Sequence, residues 1–124
     1  MARVLIVDDS PVSRKILKNI LEVAGYEVIG EAANGKEGYE EFVNKSPDIV
    51  TLDVSMPEMN GIEALKLMKE HDSKAGIIIL SADGQKDKRQ EAAQYGADEF
   101  VTKPYQKKEI LDAIKDFLEN KKTL

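Results

Sequence analysis

Pro47-Asp48-Ile49-Val50-Thr51-Leu52-Asp53-Val54-Ser55-Met56-Pro57-Glu58-Met59-Asn60-Gly61 contains a short apolar run that stops on a carboxylate. A loop with Pro57 follows, and a helix opens at Asn60-Gly61. An ionised side chain at the end of a buried strand is costly unless something pairs with it. The rest of the chain offers partners. Asp8 and Asp9 end an earlier apolar run, Val4-Leu5-Ile6-Val7, in the same way, and Lys103 ends the last one.

Outward from this stretch, strand and helix patterns alternate along the whole chain. Strands are expected over 3–8, 27–33, 48–53, 76–81 and 98–102, and helices over 11–24, 35–45, 61–70, 86–95 and 106–121. Ser10-Pro11 starts the first helix, with a hydroxyl at the cap and Pro at the first helical position. Val12, Ile16, Leu17, Ile20, Leu21 and Ala24 recur along it at helical spacing, and Gly25 stops it. Asn34-Gly35 is a turn signal, and Ser46-Pro47 breaks the helix that follows. That helix has Tyr39, Phe42 and Val43 for an inner face. Ile62, Leu65 and Met68 mark the third helix, and Ile110, Leu111, Ile114, Phe117 and Leu118 the last. The fourth has only Ala92, Ala93 and Tyr95 to bury, so it is expected to be the loosest element.

Strands separated by helices imply right-handed crossovers and a parallel sheet covered on both faces. The runs at Val4–Val7 and Gly76–Ser81 are continuous and belong inside, as does the run ending at Asp53. Glu27, Gly30 and Glu31 interrupt the second strand, and the fifth is also mixed, so both belong at edges. The expected fold is α/β: a flavodoxin-like, doubly wound, five-stranded parallel sheet in the order 2-1-3-4-5, with five flanking helices. Residues 1–124 form one domain in this reading. In such a sheet the chain reverses direction between the first and third strands, and ligands bind at the carboxyl ends there. Asp8, Asp9 and Asp53 sit at those two ends. Ser81 and Lys103 end the fourth and fifth strands on the same rim.

Composition narrows the function. The 124 residues are 42% hydrophobic and 33% charged, with formal net charge -5. That suits one soluble domain and argues against sequence-independent nucleic-acid binding, which needs a basic face. The chain has no Cys, so it has neither disulfides nor a thiolate zinc site. Its N-terminal apolar run is too short for a signal peptide or a membrane span, and a cytoplasmic location without membrane insertion is expected.

Three carboxylates converging on one rim repel each other unless a cation neutralises them. Magnesium wants oxygen ligands and keeps several waters, so it takes few protein carboxylates. Asp9 and Asp53 are expected as direct ligands, Asp8 directly or through water, with the backbone carbonyl of Ser55 completing the protein share. Mn2+ would substitute. A carboxylate accepts a phosphoryl group to give an acyl phosphate, a reaction that needs mainly positioning and charge neutralisation. Lys103 supplies a mobile positive charge and Ser81 a hydroxyl donor. Lys103-Pro104 is a candidate cis peptide, a geometry that costs about 0.5–1 kcal/mol.

Together, Asp8-Asp9, the Leu52-to-Gly61 run, Ser81-Ala82 and Lys103-Pro104 resemble a response-regulator receiver domain of the stand-alone chemotaxis type. The resemblance covers essentially the whole chain. It implies a two-component signalling switch with Asp53 as phosphoacceptor. The donor would be a histidine kinase, a phosphotransfer protein or a small phosphodonor, with Mg2+ required. It also implies that Ser81 moves toward the phosphoryl group and that the aromatic residue on the fifth strand, here Phe100, then turns inward. Many relatives have Tyr there, so any contact with a partner through a hydroxyl is lost. Ser55 and Asp83 fall at positions that tune hydrolysis of the acyl phosphate. The kinase contact is expected near Val12, Ser13, Lys15 and Ile16. A downstream protein target is expected on the fourth helix, fifth strand and fifth helix, where Lys86, Lys88 and Arg89 give a basic rim.

Two enzymatic or redox readings fit less well. An aspartyl-nucleophile phosphatase would carry a second acid where Ser55 stands, so turnover on outside substrates is not expected. A flavin carrier would need a hydroxyl- and Gly-rich phosphate loop where Asp8-Asp9-Ser10-Pro11 places carboxylates. A receiver-like scaffold without phosphorylation should lack one of the acids or the Lys. Among the remaining candidates, His71 reads as a solvated helix-end residue and Met56 and Met59 as loop packing.

Overall fold

The computed structural model describes residues 2–54, 61–82 and 86–122. The chain runs β1 (Arg3–Val7), α1 (Pro11–Val23), β2 (Glu27–Ala32), α2 (Gly35–Lys45) and β3 (Ile49–Asp53). It continues through α3 (Gly61–His71), β4 (Gly76–Ala82), α4 (Lys86–Gln94), β5 (Glu99–Lys103) and α5 (Lys107–Lys122). The five strands are all parallel, in the order β2-β1-β3-β4-β5. β1 stops at Val7, so Asp8 lies just beyond it, and β5 runs on to include Lys103.

Period-2 alternation along the central strands feeds two cores. Leu5, Val7, Val50, Leu52, Ile77 and Ile79 point to one face and meet Phe42, Ile62, Leu65, Met68 and Ala92 from α2, α3 and α4. Val4, Ile6, Ile49, Ile78, Leu80 and Val101 point to the other, where Leu17 and Leu21 of α1 and Ile110, Ile114 and Phe117 of α5 cover them. Burial on both faces is why these strands read as near-continuous apolar runs.

Local chemistry sets the helix starts that frame the rim. Ser10 caps α1, its hydroxyl accepting from the Ser13 amide at 3.2 Å, with Pro11 at the first position. Asn34 caps α2 by accepting from the Glu37 amide at 2.9 Å. α3 begins hard against the end of β3. A Cβ on Gly61 would lie 2.7 Å from the Asp53 carbonyl oxygen and 2.6 Å from the Val54 Cα, so no side chain fits there.

Three helical faces differ from their sequence patterns. In α2, Val43 is exposed, and the helix turns Gly35, Gly38 and Phe42 inward. Its close approach to β1 depends on the missing Gly38 side chain, since a Cβ would sit 2.8 Å from a Val7 methyl. In α1, Leu17 and Leu21 are buried, but Val12 is 68% and Ile16 51% exposed. The helix therefore carries a second apolar stripe, facing outward at the rim. In α4 only Ala92 is buried; Ala93 and Tyr95 are exposed. Lys66 of α3 stacks its ammonium 4.1 Å from the centre of the Tyr95 ring.

Candidate functional site

The carboxyl ends of β1 and β3 bring Asp8, Asp9 and Asp53 together. One carboxylate oxygen from each lies within 4.8 Å of the others. Asp8 is fully buried, Asp53 is 4% exposed, and Asp9 is exposed. Lys103 arrives from the end of β5. Its ammonium donates to Asp8 Oδ2 at 3.0 Å and to Asp53 Oδ2 at 3.1 Å. The Lys103–Pro104 peptide that follows is cis. Burial alone would lower the Lys103 pKa. The hydrogen bonds and negative charges of Asp8 and Asp53 outweigh it, and the pKa lies above the ordinary lysine value.

The loop after β1 is held from several sides. The Asp8 amide donates to the Ala32 carbonyl at 3.0 Å, and Asp8 Oδ1 accepts from the Ser10 amide at 2.9 Å. Both carboxylate oxygens of Asp8 are thus engaged, one by this amide and one by Lys103. Arg14 donates from Nη1 to the Asp8 carbonyl at 2.6 Å. Arg14 has no motif of its own; its only sequence signal is a guanidinium one helical turn beyond an acidic pair.

Three carboxylates and one ammonium leave two negative charges uncompensated, which a divalent cation balances. An all-oxygen donor set with one solvent-facing acid suits a hard cation that keeps part of its water shell. The residues present therefore fit magnesium.

Ser81 ends the apolar part of β4 and is fully buried. Its hydroxyl has no hydrogen-bond partner among the described residues. A buried, unpaired hydroxyl is uncommon and marks a place where a ligand atom is welcome. Ser81 pairs in register with Thr102 of β5, and the Thr102 hydroxyl accepts from Arg89 Nη1 of α4 at 2.6 Å. Phe100, two residues earlier on β5, is 38% exposed and borders a shallow crevice with Lys86, Arg89, Gln90 and Ala93. On its other side Glu99, Glu109, Asp112 and Asp116 line an acidic trough. Burial, then the charges of Asp116 and Asp98, push the Glu99 carboxyl above its usual range.

Beside Lys103, an apolar crevice of about 430 Å³ is lined by Ser13, Ile16, Pro104 and Tyr105. Burial raises the Tyr105 phenol pKa, while the Lys103 charge pulls the other way. Ser55 and Asp83, and with them the Ser55 carbonyl, lie outside the described residues. His71 is exposed at the end of α3 and meets the Tyr39 and Phe42 rings edge-on, away from the acid cluster. No helix among the described residues is long and apolar enough to cross a membrane.

The family model of the response regulator receiver domain matches residues 4–115. The chemotaxis protein CheY of Thermotoga maritima is 49% identical over 112 residues, which cover 90% of this chain and 93% of that protein. CheY of Bacillus subtilis is 47% identical over the same shares. Among solved structures, the CheX-CheY-BeF3-Mg complex of Borrelia burgdorferi aligns with TM-score 0.90 at 35% identity, over 94% of this chain and 89% of that one. With sequence, sheet order and rim chemistry in agreement, the chain belongs to the response regulator receiver domain family and is CheY-like, a signalling protein and not a turnover enzyme.

Proposed function

We propose that Asp53 accepts a phosphoryl group from a histidine kinase or phosphotransfer protein in a Mg2+-dependent reaction, and that the chain signals by carrying it. The observation behind this is the convergence of Asp8, Asp9 and Asp53 on one point, with the Lys103 ammonium between the two buried acids. Asp9 and Asp53 would hold the metal directly. Asp8 would contribute directly or through water. When bound, the metal supplies two positive charges next to the phosphoryl oxygens.

The protein's own share is positioning and charge. An Asp53 oxygen attacks phosphorus while the P–N bond of the donor phosphohistidine breaks, and the electron pair leaves with the imidazole nitrogen. Lys103 then follows the added negative charge, moving its ammonium from carboxylate toward phosphoryl oxygen. The Ser81 hydroxyl donates to a phosphoryl oxygen and gains the partner it lacks. Ser55 and Asp83 would tune hydrolysis of the acyl phosphate.

Movement of Ser81 reaches the surface through β5 and α4. Ser81 faces Thr102, Thr102 is tied to Arg89, and α4 has one buried side chain to anchor it. Phe100 turning from its half-exposed position would alter the α4–β5–α5 face, where a downstream protein binds. Chemotaxis is the pathway class favoured by the similarity to CheY. The kinase docks at the other side of Lys103, on the exposed stripe of Val12 and Ile16 and the crevice with Pro104 and Tyr105. Residues 1–124 act as one receiver unit, in the cytoplasm, without nucleic acid or membrane insertion.

Acetyl phosphate and Mg2+ with an intact-mass readout test this. Wild type should gain one phosphoryl mass and Asp53→Asn none. A gain retained in Asp53→Asn would place the acceptor elsewhere.

A further inference from the structure

We infer that Arg14 is a positioning residue for the metal pocket. It acts by fixing the peptide that joins Asp8 to Asp9. The inference rests on the metal reading above. The Asp8 carbonyl belongs to that peptide, and Arg14 Nη1 holds it at 2.6 Å. The same guanidinium is steered from behind by Glu31 of β2, whose Oε1 lies 3.4 Å from Arg14 Nε. Lys18, one turn further along α1, reaches the other Glu31 oxygen at 4.0 Å. The Asp8 amide is bonded to β2 through Ala32. Arg14 and Ala32 thus grip the peptides on both sides of Asp8. The peptide plane sets where the Asp9 carboxylate points, and Asp9, being exposed, has little packing to do so.

Two effects of Arg14 oppose each other, and their sign decides the test. Its charge repels an incoming cation; its hydrogen bond preorganises the ligands. Glu31 neutralises much of the charge and solvent screens the rest, so the orienting effect dominates. Groups that orient a metal's ligands are worth about 10–100-fold in metal affinity. The low end applies here, because water fills much of a magnesium shell.

The experiment is Mn2+ binding by electron paramagnetic resonance and Mg2+ binding by calorimetry, on wild type, Arg14→Gln, Arg14→Lys and Glu31→Gln. Thermal unfolding of each is measured alongside. Arg14→Gln should weaken binding about ten-fold, Arg14→Lys less, and Glu31→Gln by a few-fold, with the ratios unchanged at high salt. Tighter binding by Arg14→Gln, or a ratio that vanishes with salt, would mean that Arg14 acts only through its field. A lowered melting temperature with unchanged affinity would make it merely structural. If Arg14→Gln does not fold, Glu31→Gln decides: unchanged affinity there overturns the inference. Wild type that binds neither ion removes the metal reading, whereas normal wild-type binding with an indifferent Arg14→Gln removes this inference alone.

Discussion

Replacing Lys103 by Met should destabilise the fold at neutral pH in the absence of divalent cations, and the size follows from the rim geometry. At 3 Å and an effective dielectric of about 20, each ammonium–carboxylate pair is worth about 5 kcal/mol before desolvation. On the same scale two carboxylates 4.8 Å apart repel by about 3.5 kcal/mol. Two attractions, to Asp8 at 3.0 Å and Asp53 at 3.1 Å, therefore oppose three repulsions of at least that size. Met keeps the stem and deletes the attraction. Removing one partner of a buried pair costs about 3–5 kcal/mol. The Lys103 side chain is 28% exposed and Asp9 faces water, so the low end applies, about 3 kcal/mol. In a chain of this length that lowers Tm by about 10 °C. Urea unfolding and calorimetry in EDTA would measure it. Added Mg2+ should then raise Lys103→Met more than wild type, because the emptier site is the more negative one and binds the ion more tightly. The pH dependence has a definite sign. The folded pKa of Lys103 is raised, so its contribution is fully present below the ordinary lysine value and is lost as pH rises through the higher folded value. The alkaline decline should be shallower in the variant. A Lys103→Met protein as stable as wild type in EDTA would refute this balance of charges.

Gly38→Ala should cost about 1–2 kcal/mol despite the gain in helix propensity, because the new Cβ meets stiff Val7 methyls; combined with Val7→Ala, the two changes should cost less than the sum of their separate costs. At the opposite end of the sheet, Asp98 Oδ2 accepts from the Ile77 amide and the Lys69 ammonium, both at 2.9 Å. Asp98→Ala should cost about 2–4 kcal/mol in denaturant titrations while leaving Mg2+ affinity alone. Glu99 carries a raised pKa, so the penalty for its charge is absent at acid pH and grows as pH rises through the folded value. Glu99→Gln should therefore raise Tm at pH 7 and leave it unchanged near pH 3, as scanning calorimetry would show.

The parts of the fold set by strand burial were the most legible. Continuous apolar runs in β1, β3 and β4 and mixed ones in β2 and β5 carry the strand order, because only central strands are covered on both faces. The rim followed from that order, since Asp53 and Lys103 end their strands, Ser81 is the next-to-last residue of β4 and Asp8 directly follows β1. Helical faces were less legible. Apolar spacing in α1 does not distinguish Leu17, which packs on the sheet, from Ile16, which faces water beside Lys103. In α2, small size decided orientation: Gly38 turns inward because the helix sits too close to Val7 for any Cβ, leaving Val43 outside. Arg14 was illegible because its role depends on a backbone carbonyl, and no side-chain pattern records where a carbonyl points.

The most direct test of the account is to locate the phosphoryl group itself. After treatment with acetyl phosphate and Mg2+, reduction by borohydride converts an acyl phosphate to an alcohol at the carbon that carried it. Peptide mass spectrometry should find homoserine at position 53 alone, and none when Mg2+ is replaced by EDTA. Homoserine at position 8 or 9, or an unchanged yield without divalent cation, would contradict the account.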